Sequence, residues 1–308
     1  MPILENSPWR KQYFEAVACP DDVTIPTDDD VAYALYPDHR WVYNKLLICQ
    51  TQGLRHAPHG IEPAEFPVFS KPIYNLRGMG AGIRTIRSLV EYERHQAPGY
   101  MWMELLTGEH VSTDVAVVAG VPVWWRHAIG VPLGDGAFDY WAVLAEPRPE
   151  IEHHCRSWLL DHLKAYTGMM NLETIGGKII DAHLRFTDQW PDLYGRDWID
   201  RLIELYAHKR WLDADANPRI GYSIVLSGEH GPRYRMIDPT LVAALRSEFE
   251  VLSIQFTFYE NKVPEAHAMP PGGFRLAVIN CWDLDVGLAC RRRLAPLFSA
   301  RIQDSRLK

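Results

Sequence analysis

Asp181-Ala-His183-Leu-Arg185 follows Asn171-Leu-Glu173 by ten residues and comes just past Gly176-Gly177. The spacing sets two acids, an imidazole and a guanidinium on what read as adjacent short strands. Along a strand, side chains alternate, so Asp181, His183 and Arg185 share one face. Hard carboxylate oxygens on opposed strands suit Mg2+, which takes one or two carboxylates and completes its shell with phosphate oxygens and water. Glu173 and Asp181 are therefore the metal candidates, with His183 beside them, and the chemistry is that of a divalent ion on a nucleoside triphosphate. A regular two-residue turn at Gly176-Gly177 would set Glu173 opposite Ile180, on the other face from Asp181. A β-bulge would bring the two acids together. A transition-metal site built from His183 with His153 and His154 is disfavoured, because adjacent histidines on a helix point apart.

Upstream, Phe66-Pro67-Val68-Phe69-Ser70-Lys71-Pro72 reads as a strand ending in a lysine, followed by a loop carrying Gly78, Gly80 and Gly82. A lysine there offers a point charge to phosphate, and a glycine turn lets backbone N–H groups approach oxygens unobstructed. Lys71, Gly78 and Gly80 are thus candidates for holding a triphosphate. The loop fits neither the Gly-x-x-x-x-Gly-Lys-Ser/Thr pattern nor a Gly-x-Gly-x-x-Gly opening a helix, which disfavours P-loop and dinucleotide folds. Glu104-Leu105-Leu106 ends an apolar strand that holds no other acid. It reads either as an edge-strand glutamate facing water, or as a hinge whose backbone meets an adenine edge. In the second reading Glu104 or Glu109 takes a base amine or ribose hydroxyl.

These residues need elements to carry them. A helix fits from Asp38 to Gly53, a strand from Gly99 to Leu106, and a hairpin joins Val111–Val118 to Val121–Arg126. Further helices fit near Ser88–His95, within Pro147–Thr167, at Asp197–His208, Pro239–Glu248 and Asp285–Phe298. Asp28-Asp29-Asp30 reads as a solvated turn or helix cap. Gly134-Asp135-Gly136 reads as a turn or a lid, and Trp124-Trp125 with Thr187–Pro191 as a border of an acceptor pocket. A composition shift at 213–218 suggests a boundary. The expected organisation is a lead-in segment over 1–60, a core over 61–212 and an α+β appendage over 213–308.

A chain of 308 residues at 47% hydrophobic can form two compact domains or one with an appendage. A net charge of -7 argues against a general nucleic-acid or anionic-membrane surface. Five cysteines without a CxxC pair favour reduced thiols and a cytoplasmic setting over a disulfide framework or structural zinc. Neither a secretion signal nor an apolar run long enough to span a bilayer is evident.

In this order the pieces resemble the ATP-grasp superfamily, including its carboxylate-amine ligase and biotin-carboxylase-like members. The resemblance is carried by Tyr43-Asn44-Lys45, Phe66–Pro72, Gly78-Met-Gly80-Ala-Gly82, Met103-Glu104-Leu-Leu-Thr-Gly-Glu109 and Asp181-Ala-His183-Leu-Arg185. The last corresponds to the family's Glu-x-Asn-x-Arg, with aspartate for glutamate and His183 for asparagine. The resemblance implies an α+β chain: two α+β subdomains gripping the nucleotide, a small C-terminal α+β module, and a reduced N-terminal domain. It implies that Lys45 and Lys71 contact ATP phosphates and that Glu104, Leu105 and Leu106 form the adenine hinge. Glu109 would serve the ribose, Glu173 and Asp181 would hold Mg2+ with His183 at the asparagine position, and Arg185 would steady an acyl phosphate or substrate carboxylate. Arg126 and His127 would face the γ-phosphate or substrate side.

The implied activity is an ATP- and Mg2+-dependent ligase that activates a carboxylate as acyl phosphate and joins it to an amine, releasing ADP and phosphate. Its expected partners are small-molecule or peptide carboxylates and amines, without nucleic acid or membrane. A homodimer mate or partner protein would complete the substrate site. Phosphotransfer to a hydroxyl acceptor, nucleotide binding without turnover, and a plain α/β binding module are the alternatives.

Overall fold

The computed structural model describes residues 10, 13–14, 17–76, 82–134, 137–212, 219–229, 232–262 and 274–299. Gly78, Gly80, the tip at Asp135-Gly136 and the 213–218 boundary lie outside the described residues.

The described strands form two antiparallel sheets. The smaller contains β1 (His56–Pro58), β2 (Val68–Pro72), β3 (Arg84–Ile86) and β4 (Tyr100–Glu104) in the order β1-β4-β2-β3. Alternation in β2 and β4 divides its faces. Val68 and Trp102 pack with Ile86 and Tyr92, while Phe69, Met101 and Met103 turn to the opposite side. Tyr92 comes from helix α3 (Leu89–His95), whose N-terminus is capped by Ser88 Oγ accepting the Glu91 N–H at 3.3 Å.

The larger sheet contains β5 (His110–Val118), β6 (Val121–Gly134), β7 (Ala137–Val143), β8 (Gly168–Ile175), β9 (Lys178–His183), β10 (Gly221–Gly228), β11 (Ser253–Phe256) and β12 (Phe274–Cys281). Their order is β11-β12-β10-β7-β6-β5-β8-β9. The strands beyond residue 213 thus extend the sheet of the preceding segment, through β10 pairing with β7. Val111, Val115 and Val117 of β5 point to a core with helix α4 (Pro149–His162), which contributes Ile151, Cys155, Trp158 and Leu159. The opposite face carries Ser112, Asp114 and Ala116. It is covered by helix α5 (Trp198–His208) and by Phe14, Val23 and Ile25 from the N-terminal segment. Helices α6 (Pro239–Glu248) and α7 (Leu284–Ser299) flank β10–β12.

The helix expected over Asp38–Gly53 is broken. A 3-10 turn spans Arg40–Tyr43, Asn44 leaves helical conformation, and its side chain caps a new helix, α2 (Lys45–Gln50), by accepting the Leu46 N–H at 3.1 Å. This places Lys45 at the first helical position. Helix α2 bridges the sheets: the Lys45 N–H donates to the Ile73 carbonyl at 3.1 Å, and Leu46 and Cys49 pack among Phe69, Met101, Met103 and Ile180. Just beyond it, Gln52 lies along the outer edge of β9. Its amide donates to the Ile179 carbonyl and accepts the Ile179 N–H, both at 2.8 Å. Helix α1 (Asp29–Leu35) packs against the 3-10 turn through Ala32 and Tyr33.

Candidate active site

The β8–β9 hairpin turns on Gly176 (φ +55°) and Gly177 (φ +78°), left-handed conformations open to glycine at little cost. Ile175 pairs with Lys178 and Thr174 with Ile179, but Glu173 pairs with Asp181. Ile180 is therefore the extra residue of a β-bulge, and the two acids stand directly opposite on one face. Two polar rows cross the sheet there. One runs Ser112–Glu173–Asp181 and the other Arg126–Asp114–Asn171–His183.

The bulge also meets the smaller sheet. The Lys71 ammonium, coming from β2, donates to the Ile180 carbonyl at 2.7 Å. The Lys45 ammonium reaches both Asp181 oxygens, at 2.8 and 2.7 Å. Both lysines are almost fully buried, 5% and 4% exposed. A buried ammonium is stable only with acceptors around it. Burial pushes the Lys71 pKa below its usual value, and Asp181 only partly restores it. Burial acts upward on Asp181, yet Lys45, His183 and Lys71 hold its carboxyl below the usual range. Burial likewise acts upward on Glu173, which nevertheless lies low because His110 bonds it at 3.3 Å.

A helix does begin at 28–30, as the cap alternative expected, but Asp29 is not solvated. Asp28 pairs with Arg10 and Asp30 is exposed, but Asp29 opens α1 and is only 5% exposed. His183 Nδ1 donates to its carboxylate at 3.0 Å, Arg185 grips it as a fork through Nε and a terminal nitrogen at 3.0 Å each, and Tyr43 Oη donates at 3.3 Å. Burial acts upward on Asp29, and the two cations overcome it, leaving its carboxyl well below the usual range. Burial opposes the His183 charge, and Asp29 raises its pKa past that penalty. Arg185 is thus engaged with Asp29, and its remaining terminal nitrogen donates to the Phe186 carbonyl at 3.2 Å. No local sequence signal singles out Asp29, because its two cationic partners lie more than 150 positions away.

Asp114 also escaped notice. This fully buried carboxylate accepts from Asn171 at 2.8 Å, the Thr187 backbone at 2.8 Å and hydroxyl at 3.0 Å, and Tyr194 at 2.6 Å. Burial still pushes its pKa up. Asn171, weighed as a helper to the acid pair, is engaged by Asp114, Ser112 and Thr187.

Other expected residues stand apart. Arg126 lies in the His183 row but three strands away, roughly 14 Å at the usual strand spacing. Its guanidinium donates to the Leu193 and Arg219 carbonyls at 3.5 and 3.2 Å. His127 points to the opposite face, between Thr113 Oγ at 2.9 Å and Glu152 at 3.0 Å. Glu104 pairs with Val68, on the face away from Lys71, and accepts the Arg55 N–H at 2.9 Å. Leu106 packs on the Lys71 side with Ile180, Leu105 is partly exposed, and Glu109 lies near the Arg148 guanidinium at 3.5 Å.

Among the described residues no group of three or more His, Cys, Asp or Glu side chains is set to hold an ion unaided. The opposed pair Glu173 and Asp181, with two ammonium groups at the same edge, fits an ion that shares its shell with phosphate oxygens.

No family profile and no curated protein matches the sequence. Solved structures do match in three dimensions. An L-amino acid ligase from Bacillus licheniformis superposes with a TM-score of 0.60 at 13% identity, over 96% of this chain and 82% of that one. Phosphoribosylamine–glycine ligase from Thermotoga maritima gives 0.57 at 13% identity, over 95% of this chain and 85% of that one. Carboxyaminoimidazole ribonucleotide synthase from Aspergillus clavatus, complexed with ATP, gives 0.56 at 11% identity, over 85% and 74%. At such identities the likeness is one of fold alone: the chain shares the mixed α+β architecture of these ligases and synthases. Among the described residues no helix is long and apolar enough to cross a membrane.

Proposed function

We propose that the protein is an ATP- and Mg2+-dependent ligase that joins a small-molecule or peptide carboxylate to an amine. The observation that carries this reading is the bulge that sets Glu173 opposite Asp181 while Lys45 and Lys71 converge on the same strand edge. Opposed carboxylates and paired ammonium groups at one cleft complement a triphosphate with its divalent ion.

The substrate carboxylate oxygen attacks the γ-phosphorus, forming an acyl phosphate as ADP leaves. The amine nitrogen then attacks the acyl carbon, and phosphate leaves with its bonding pair. No side-chain nucleophile is needed; catalysis is positioning and charge neutralisation. Lys45 and Lys71 take phosphate oxygens in place of Asp181 and the Ile180 carbonyl. Mg2+, when bound by Glu173 and Asp181, supplies further neutralisation of the phosphate charge. The backbone of Glu104–Leu106 receives the base, Leu106 packs beneath it, and Glu109 serves the ribose. His183 and Arg185 form the floor beyond the acids. Arg126 lines the acceptor end, and the 213–308 segment completes the sheet that carries the core of 61–212.

The test is ADP release with Mg-ATP and a panel of amino acids and small acids paired with amines, with products identified by mass. Amide formation together with ADP is the expected result. Lys71→Met should weaken ATP binding roughly 10- to 150-fold, the equivalent of a charged hydrogen bond worth about 1.5–3 kcal/mol. A phosphorylated acceptor without amide would replace ligation by phosphotransfer, and tight ATP binding with no turnover on any pair would leave a nucleotide-binding protein.

A further inference from the structure

His183 stands where the resembling family carries an amide, and its ring is not free to turn. Asp29 accepts from Arg185 and from Tyr43, so it acts toward His183 as an acceptor, and Nδ1 must be the nitrogen that donates. The ring is also packed edge-on against Tyr43, with centroids 6.3 Å apart. With Nδ1 committed inward, Nε2 faces Asp181, 3.9 Å from Oδ1. A carboxylate behind a histidine whose far nitrogen points at another oxygen ligand is the arrangement by which proteins orient imidazole toward metal.

We propose that Asp29 is a positioning residue that presents His183 Nε2 beside Asp181 as a nitrogen donor, so that the site prefers Mn2+ to Mg2+. The inference rests on the function proposed above and deepens it by naming the ion and the residue that selects it. Two adjacent ligand atoms on an octahedral ion stand roughly 3 Å apart when their bonds are about 2.1 Å. Closing the 3.9 Å separation to that value requires the Asp181 carboxylate to rotate off Lys45. Once the ion has displaced the Nε2 proton of His183 to solvent, Asp181 and His183 make a two-ligand edge, and phosphate oxygens and water complete the shell, as suits a site without three clustered protein ligands among the described residues. Imidazole nitrogen favours Mn2+ over Mg2+, which holds to oxygen ligands and near-ideal octahedra. Asp29 belongs to the N-terminal segment, so that segment contributes to metal choice.

Pulsed EPR of Mn2+ bound to the full chain with a non-hydrolysable ATP analogue tests this directly. Isotope-labelled histidine separates protein nitrogen from adenine nitrogen. The expected result is a histidine nitrogen coupling on the ion that is abolished in His183→Asn. Asp29→Asn should weaken Mn2+ roughly 10- to 100-fold, in line with other orienting partners of metal-binding histidines. His183→Asn should also reverse the ion preference in a Mn2+/Mg2+ competition, which keeps the test open even if the Asp29 variant folds poorly. Mn2+ bound with the analogue but without histidine coupling overturns the inference and leaves the ligase reading standing. Failure of the analogue to bind with either ion overturns both.

Discussion

Replacing Asp29 by alanine removes the anion that two cations and a phenol share. The wild-type carboxylate accepts from His183 and from an Arg185 terminal nitrogen at 3.0 Å, lies 3.0 Å from the Arg185 Nε, and accepts from Tyr43 at 3.3 Å, in a nearly closed site. Without it the guanidinium and imidazole stay buried with no counter-charge. Removing one partner of a buried pair costs about 3–5 kcal/mol, most of it the desolvation of what remains. An unfolding entropy of about 2.1 cal/mol/K per residue amounts to roughly 0.65 kcal/mol/K for 308 residues, so ~4 kcal/mol lowers Tm by about 6 °C. The native carboxyl stays ionised well below the usual range, so its contribution is complete above the unfolded pKa of about 3.9 and is lost only as pH falls through the lower, native value. The ionisation of the carboxyl itself adds no pH dependence between about pH 8 and pH 5, whereas the His183 part of the penalty is complete below the unfolded imidazole pKa of about 6.5 and falls away as pH rises through the raised native value. Calorimetry and urea titration of Asp29→Ala, with the exposed neighbour Asp30→Ala as control, supply the measurement. Arg185→Met added to Asp29→Ala should cost less than Arg185→Met alone. The reasoning is refuted if Asp29→Ala costs under about 1 kcal/mol, or no more than Asp30→Ala.

Two other perturbations have definite outcomes. A Cβ on Gly176 would stand 2.3 Å from the Thr107 carbonyl oxygen at φ +55°, whereas one on Gly177 meets nothing within 4 Å. Gly177→Ala should therefore cost only the ~1–2 kcal/mol of left-handed backbone, and Gly176→Ala clearly more, read by urea unfolding of the two variants side by side. Burial lifts Asp192 to about 6, against the bonds from Ser253 and Asn280. The native state then holds a proton that the unfolded chain has lost, so stability falls as pH rises from about 4 to 6, by roughly 2–3 kcal/mol. Asp192→Asn should flatten that part of the stability–pH curve relative to wild type; parallel curves would contradict it.

The legible parts were those with a local signature. Pro239–Glu248 begins at a proline behind a capping aspartate, which marks its start in sequence, and its bounds are as expected. The two glycines marked the β8–β9 turn, and the geometry of alternation showed that only a bulge could unite Glu173 with Asp181, which is what Ile180 provides. Less was legible where a single polar residue decides the backbone. Asn44 looks like one more helix position until its side chain is seen capping the following turn. The strand ending at Arg126 in the sequence reading runs on to Gly134, because register shifts at Val131 and Pro132 absorb the proline. His56–Pro58 and Arg84–Ile86 are three residues each, too short for any periodicity. Asp29 was hidden because its partners come more than 150 positions later, and an acid at a helix start has an adequate local explanation.

Gln52 has a consequence beyond anchoring α2. Strand β9 ends the larger sheet, and a sheet end with open N–H and carbonyl groups invites a strand from another molecule. By donating to and accepting from Ile179, the Gln52 amide imitates the backbone of a ninth strand one residue long. The backbone that another strand would need at Ile179, two residues before Asp181, is thereby already occupied, and sheet extension is blocked at that point.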